Sequence, residues 1–315
     1  MDIAQLMQIL PQQLVFGITL GMIYGLIALG YTMVYGVLFM INFAHGDVFM
    51  VGAYMGWAVL VAIINSKVVP LDPILVVPLM LLPAMLFAGA IGLGLERFAY
   101  RPLYLRGATR LGPLISAVGA SIFLQNAVML IEGARMKVLM TYRVFPRTWR
   151  FDVFGVNVSA LVLMIAAISA LMMWGLHMLV QRTTLGRSIR AVAEDREIAA
   201  VMGVNVWGVV ATTFMVGSAL GGAAGVLVGL YYTQIDFLMG YSAGLKAFTA
   251  AVLGGIGNIR GAMLGGVLLG IIESLASTFI NPAYKDAVSF AVLILVLVFR
   301  PGGILGEALP DWKRV

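Results

Sequence analysis

Residues 38–50 read LFMINFAHGDVFM. The chain has run from Leu14 to Gly36 without a charge, and then sets Asn42, His45, Gly46 and Asp47 within six positions. An amide, an imidazole and a carboxylate are expensive to bury in an apolar run, and by default they face a cavity or a partner. His45 reads as a hydrogen-bonded residue of a helix break rather than as a proton relay. Glu273 in LLGIIESLAS and Lys246 in SAGLKAFTA are the other clear ionisable groups inside apolar sequence. They are candidates for a charge pair with each other, or for substrate contact and gating.

Other chemistry finds little support. No G-x-x-x-x-G-K-[ST] loop occurs, so the chain cradles no nucleotide phosphate by that route. The only histidines are His45 and His177, and there is no cysteine. A histidine zinc site and a cysteine nucleophile are therefore not expected. No nucleophile elbow, catalytic residue, metal or cofactor is assigned to this chain.

The elements that must position these residues follow from composition. Of the 315 residues, 62% are hydrophobic and only 11% are charged, against about 25% charged in soluble domains. The mean hydropathy is +1.02. Such a chain is an integral membrane protein, and a helix needs about 20 apolar residues to cross the hydrocarbon. The N-terminus lacks a basic region, so no cleaved signal peptide is expected. The net charge of +6 is read as loop topology and anionic lipid rather than nucleic-acid binding.

Apolar segments lie near 12–36, 48–64, 74–95, 112–131, 158–180, 207–232, 244–257, 261–280 and 286–300. They predict an all-α, polytopic transmembrane bundle of about eight full spans, with 36–47 and 244–260 broken or re-entrant. The interruptions INFAHGD and GGIGNIRGA (254–262) share an Asn–Gly pattern, Asn42/Gly46 and Asn258/Gly261. Irregular backbone at membrane depth must be buried in protein or line a wet cavity. Both interruptions are therefore expected in the interior, as matching parts of two internal repeats. Glycines at spacing four (Gly17, Gly21, Gly25; Gly217, Gly221, Gly225, Gly229) predict close helix packing within one subunit.

Loop 96–112 carries Arg97, Arg101, Arg106 and Arg110, and loop 181–206 carries Arg182, Arg187, Arg190 and Arg196. Both fall on one side, read as cytoplasmic, together with the C-terminal tail. Loop 133–157 falls opposite despite five basic residues, and its short β-prone runs predict an outward hairpin. In 181–206, Leu185, Ile189 and Val192 share one helical face. The mixed charge around them suits docking to a protein better than lying on lipid.

The stretches GYTMVYG, MINFAHGDVFMVGAY, ERFAYRPL, LISAVGASIFLQN, RAVAEDREIAAVMGVN, GLKAFTAAVLGGIGNIRGAMLGG and RPGGILG together resemble the LivH-type permease subunits of bacterial ABC importers for branched-chain amino acids. The likeness runs over about 10–310, and its motifs are long. It implies a single permease domain (1–315) of the type II ABC importer fold in the bacterial inner membrane, with 133–157 periplasmic and 181–206 a cytoplasmic coupling region. It implies a homologous LivM-type permease, two ATPase subunits of the LivG and LivF type that hydrolyse the ATP, and a periplasmic binding protein as partners. By the same resemblance, Arg190, Glu194, Asp195, Ala199 and Gly203 belong to the ATPase-coupling element. Two short helices joined near Ala193 are expected there. Ile189, Ile198, Ala199 and Met202 would make apolar contact inside a rim of Arg190, Glu194, Asp195 and Arg196, with Gly203 ending the helix in a left-handed turn. Asn42, Phe43, His45, Gly46, Asn258 and Glu273 are the candidates for the substrate path. A permease for urea or amides is the competing substrate class. A stand-alone ion-coupled carrier using Glu273 and Asp47 is the competing mechanism.

Overall fold

The computed structural model describes residues 3–67, 70–109, 111–146, 148–153 and 156–306. Helix α1 (Ile3–Leu38) is followed by α2 (His45–Ser66) and α3 (Pro73–Gly94). A π-helical turn, Leu95–Tyr100, continues α3 into α4 (Arg101–Leu105), and α5 is Leu111–Glu132. After β1 (Lys137–Val138), β2 (Arg150–Val153) and β3 (Val156–Ser159) come α6 (Ala160–Arg182), α7 (Thr184–Glu194), α8 (Arg196–Val201) and α9 (Val206–Tyr232). Strand β4 (Gln234–Ile235), α10 (Met239–Gly254), α11 (Ile259–Phe279) and α12 (Lys285–Phe299) complete the order. Among the described residues, eight helical segments are long and apolar enough to cross a membrane, matching the expected number. At 16 residues, α10 falls short of the length a membrane crossing needs.

Most boundaries are written in side chains. Asp72 accepts from the Ile74 amide at 2.9 Å, and Pro73 opens α3. Thr183 caps α7 through the Gly186 amide (3.1 Å), Asp195 caps α8 through Glu197 and Ile198 (2.8 and 2.9 Å), and Asn205 caps α9 through Gly208 (3.0 Å). Each supplies an acceptor to an orphan amide of the first turn.

Helices α1 and α9 form the buried centre. Helix α11 packs on α1, while α2 and α3 pack on α9. A Cβ at Gly21 would lie 2.6 Å from the Val267 Cα, so the α1–α11 crossing tolerates no side chain there. The expected glycine stripes are therefore used inside one subunit: Gly17 and Gly21 meet α11, while Gly217, Gly221 and Gly225 meet α1 and α2. Helices α5, α6 and α12 are mostly exposed. Their outward Ile, Leu and Phe side chains (Ile122, Phe123, Leu171, Ile294 and others) are ordinary for a lipid-facing surface.

At one end β2 and β3 form the hairpin expected in 133–157, with Arg150 opposite Ser159 and Val153 opposite Val156. Strand β1 pairs antiparallel with β4, nearly a hundred residues away, a link that two-residue strands leave no local pattern to signal. At the other end, Arg101 stacks over Trp207 at 5.2 Å, which brings the two arginine-rich loops together.

Candidate functional site

The first interruption is a real break. At the end of α1 the Tyr104 hydroxyl donates to the Leu38 carbonyl (3.2 Å), and the Tyr104 ring packs on Trp207 at the start of α9. His45, which starts α2, lies against Gly221, about halfway along α9. Residues 39–44 therefore turn back alongside the bundle without helical structure, and Phe39 makes the turn at φ +52°.

Its counterpart is not the second interruption named above but residues 235–240. INFAHG (41–46) and IDFLMG (235–240) share Ile, Phe and Gly at the same spacing, with Asn42 matched by Asp236. The backbone agrees. His45 N–H donates to the Asn42 carbonyl (3.0 Å), as Met239 N–H does to Asp236 (3.3 Å). In each case the helix begins at the donor. The two helix starts then cross. A Cβ at Gly46 would overlap the Gly240 carbonyl oxygen, and one at Gly240 would lie 2.7 Å from the Gly46 carbonyl oxygen. Segment 39–44 reaches this crossing from the end where α9 starts, and 233–238 reaches it from the end where α9 stops.

Asn258, by contrast, sits half-exposed at one end of the bundle. It caps α11 through the Gly261 amide (3.1 Å) and donates to the Leu305 carbonyl (2.7 Å). The C-terminal stretch closes over it, with Ile304 N–H on Leu253 and Leu305 N–H on Gly254. Its expected place in the interior is corrected, because the break at 255–258 is a helix-to-helix turn sealed by residues 301–306.

Asn42, His45 and Asp47 are buried, and Phe43 is half-buried with its ring 6.3 Å from that of Phe248. Asn42 Oδ1 accepts from the Tyr100 hydroxyl (2.6 Å). Among the described residues, the Asn42 amide nitrogen and both His45 ring nitrogens have no hydrogen-bond partner. The ring lies near the Ile27 carbonyl without ordinary bond geometry, edge-on to Tyr31 at 4.8 Å and wedged against Gly30 and Gly221. The expectation of a hydrogen-bonded His45 at the helix break is thus not met. The backbone closes its own turn at Asn42–His45, and side chains from elsewhere take the α1 carbonyls.

The carboxylate has a clearer task. Asp47 lies in the first turn of α2, and its Oδ1 lies beside Gly240 in the first turn of α10. It therefore stands between two helix N-termini, where partial positive charge favours it. Ser121 Oγ and Gln125 Nε2 (2.9 Å) of α5 donate to it. Replacing Gln125 with Leu should cost about 1–3 kcal/mol, the penalty for leaving a buried acceptor short of a donor. Thermal unfolding of the purified permease measures this, and an unchanged midpoint would show that Asp47 does not depend on the amide.

Glu273 and Lys246 pair as expected, at 2.7 Å and both buried. Lys246 also meets Asp286 at 2.7 Å, and Glu273 accepts from the Tyr24 hydroxyl at 3.0 Å. A cavity of about 220 Å³ opens beside them, lined by Tyr24, Tyr232, Asp236, Met239, Ser242 and Lys285 among others. The stretch GYSAG (240–244) has the spacing of a nucleophile elbow. It lies inside α10 rather than on a strand-to-helix turn, and its glycines pack on Gly46. It is therefore not such an elbow.

Helices α7 and α8 are joined at Asp195, and Gly203 follows with φ +84°. Their faces divide differently from expectation. Ile189, Val192 and Ala199 are buried against the bundle, while Ile198, Val201 and Met202 are 63%, 87% and 77% exposed. Arg190 donates to the Val180 carbonyl, and Arg196 donates to the Val37 carbonyl through Nε (2.9 Å) and Nη2. Burial lowers the pKa of Arg196 below the usual guanidinium value, which still leaves it charged. Ile189 and Ala199 thus serve the subunit's own interior, Arg196 is half-buried on the end of α1, and Arg190 stays exposed while bonding α6. In a helix as short as α8 the apolar residues occupy both faces, and the pattern alone assigns neither to the inside.

The π-helical turn was also missed. It carries a buried Glu96 and places Tyr100 against Asn42. A one-residue helical expansion leaves no composition signal, though such turns recur at functional sites.

Residues 13–297 match the family described as branched-chain amino acid transport system / permease component. The chain is 48% identical over 311 residues to the high-affinity branched-chain amino acid transport system permease protein BraD of Pseudomonas aeruginosa, covering 96% of this chain and 97% of that protein. It is 46% identical over 307 residues to the permease protein LivH of the same kind of system in Escherichia coli, again covering 96% and 97%. A probable branched-chain amino acid transport permease protein LivM of Methanocaldococcus jannaschii is 28% identical over 145 residues, 40% of each chain. No solved structure matches this chain.

Proposed function

The chain belongs to the branched-chain amino acid transport system permease family, and from that premise we propose how its geometry serves import. It is a multi-pass membrane permease that carries branched-chain amino acids across the bacterial inner membrane. It is a transport subunit of an ABC system, and the ATP is hydrolysed by partner ATPases. A LivM-type permease, LivG- and LivF-type ATPases and a periplasmic binding protein are its proposed partners. The whole chain acts as one permease domain.

The arginine-rich end, with α7 and α8, faces the cytoplasm, and the hairpin end faces the periplasm. Lys285 of α12 stacks over Tyr232 at the end of α9 (5.6 Å), so α12 runs from the periplasmic end inward. The C-terminal stretch is therefore cytoplasmic.

The observation that carries the path is the crossing at Gly46 and Gly240. Segment 39–44 approaches it from the cytoplasmic end and 233–238 from the periplasmic end, and two broken helices start there. Asn42, Phe43, His45 and Gly46 line the path on the cytoplasmic approach. Glu273, held by Lys246, braces the periplasmic approach. Asn258 is a cap outside it. Uptake of labelled leucine, isoleucine and valine by the reconstituted complex tests this reading. Transport of urea or an amide in place of these amino acids would overturn the substrate class.

The ATPase contact is made by the outward face of α7–α8, where Ile198, Val201 and Met202 are exposed beside Glu194 and Asp195. Apolar residues at a patch centre carry most of an interface's energy, with charges at the rim. Replacing Ile198 and Met202 together with Asp should lower ATPase co-purification severalfold while the permease still inserts. Undiminished co-purification and uptake would show that this face is not the dock.

A further inference from the structure

We propose that Arg196 is a positioning residue that ties α8 to the end of α1, so that a shift of the α7–α8 pair is carried into segment 39–46. The inference rests on the reading of α7–α8 as the ATPase dock.

The last carbonyls of a helix lack intrahelical partners. Here those of Val37 and Leu38 stand where α1 breaks. Arg196, 159 residues away in sequence, donates twice to the Val37 carbonyl. Its guanidinium lies 5.6 Å over the Tyr104 ring, and the Tyr104 hydroxyl donates to the Leu38 carbonyl. One turn earlier the Tyr100 hydroxyl holds the Asn42 amide oxygen. The chain of contacts thus runs from α8 through Arg196 and Tyr104 to the end of α1, and one helical turn along the same segment Tyr100 holds Asn42 inside the break.

The residue type matters. A guanidinium is planar, presents several donors in a fixed fork and stacks on an aromatic face, whereas an ammonium is a point charge on a flexible stem. Asp195 fixes the start of α8 one residue earlier, and Ala199 is buried three residues later. Arg196 therefore cannot move independently of α8, as a link that carries displacement requires.

The test uses the assembled transporter in proteoliposomes, with Arg196→Ala, Arg196→Lys and Tyr104→Phe variants. Two quantities are read: ATPase retained on the complex, and amino acid imported per ATP hydrolysed. The proposal expects the ATPase to be retained in all three. Import per ATP should fall about tenfold for Arg196→Ala, within the usual span of coupling between sites. It should fall less for Arg196→Lys, which keeps one donor, and for Tyr104→Phe, which keeps the ring. A residue that merely caps α1 would lower the amount of complex and leave import per ATP unchanged, and that result would overturn the proposal. Loss of the ATPase from Arg196→Ala would overturn it too, since Arg196 would then belong to the dock. Failure of the docking reading itself shows separately, as undiminished co-purification with the Ile198 and Met202 substitutions.

Discussion

Replacing Lys246 with Met should destabilise the permease by about 3–5 kcal/mol, the range for removing one partner of a buried ion pair. Glu273 is almost wholly buried and relies on Lys246 at 2.7 Å and on the Tyr24 hydroxyl. Without the ammonium it remains an uncompensated charge among helices. Asp286 also loses its partner: its side chain is half-exposed, but the Oδ1 that met Lys246 is buried and adds to the loss. Substituting Glu273→Gln in the Lys246→Met background removes the stranded charge, keeps an acceptor for Tyr24, and should recover most of the loss. Thermal unfolding of the detergent-purified protein reads both effects. A single variant that melts within about 1 kcal/mol of the parent, the range of exposed pairs, would show that water entering the neighbouring cavity already screens the pair.

Replacing Gly46 with Val should be at least as damaging. Overpacking a tight core costs about 1–3 kcal/mol where side chains can yield. At Gly46 the opposing atoms are the Gly240 carbonyl oxygen and the Gly244 Cα. These are backbone atoms on a helix start that cannot move aside without losing its first turn. The expected result is failure to assemble, seen as aggregation on size exclusion and absent uptake, with Gly46→Ala intermediate. Gly36→Ala is the control. No atom lies within 4 Å of a Cβ there, and Ala favours a helix over Gly by about 1 kcal/mol. Normal assembly of Gly46→Val would mean that α2 and α10 separate more readily than their packing implies.

Much of this fold could be read before any coordinates, for a reason specific to lipid. Hydrocarbon demands long apolar helices, so the spans announce themselves, and any polar cluster within them marks a break. Asn42, His45 and Asp47 did so, and the alternation in VNVS and its neighbours marked the hairpin. What stayed hidden depends on pairing across the chain. Residues 41–46 and 235–240 share only three identities, while Asn258 and its glycines made a louder but unrelated match. The roles of Arg190 and Arg196 turned on carbonyl partners in α6 and α1, which no local pattern reveals. Ile189 and Ile198 look alike in sequence, yet one is buried and the other exposed, because each faces a different neighbour.

The reciprocal contact of Gly46 and Gly240 has a mechanical meaning. Each glycine presses on the backbone of the other, so neither helix start can slide, tilt or unwind unless its counterpart moves in step. The two approaches to this point come from opposite sides of the membrane. Two helix starts packed this closely would move as a pair, so a displacement imposed on one approach would be felt at the other.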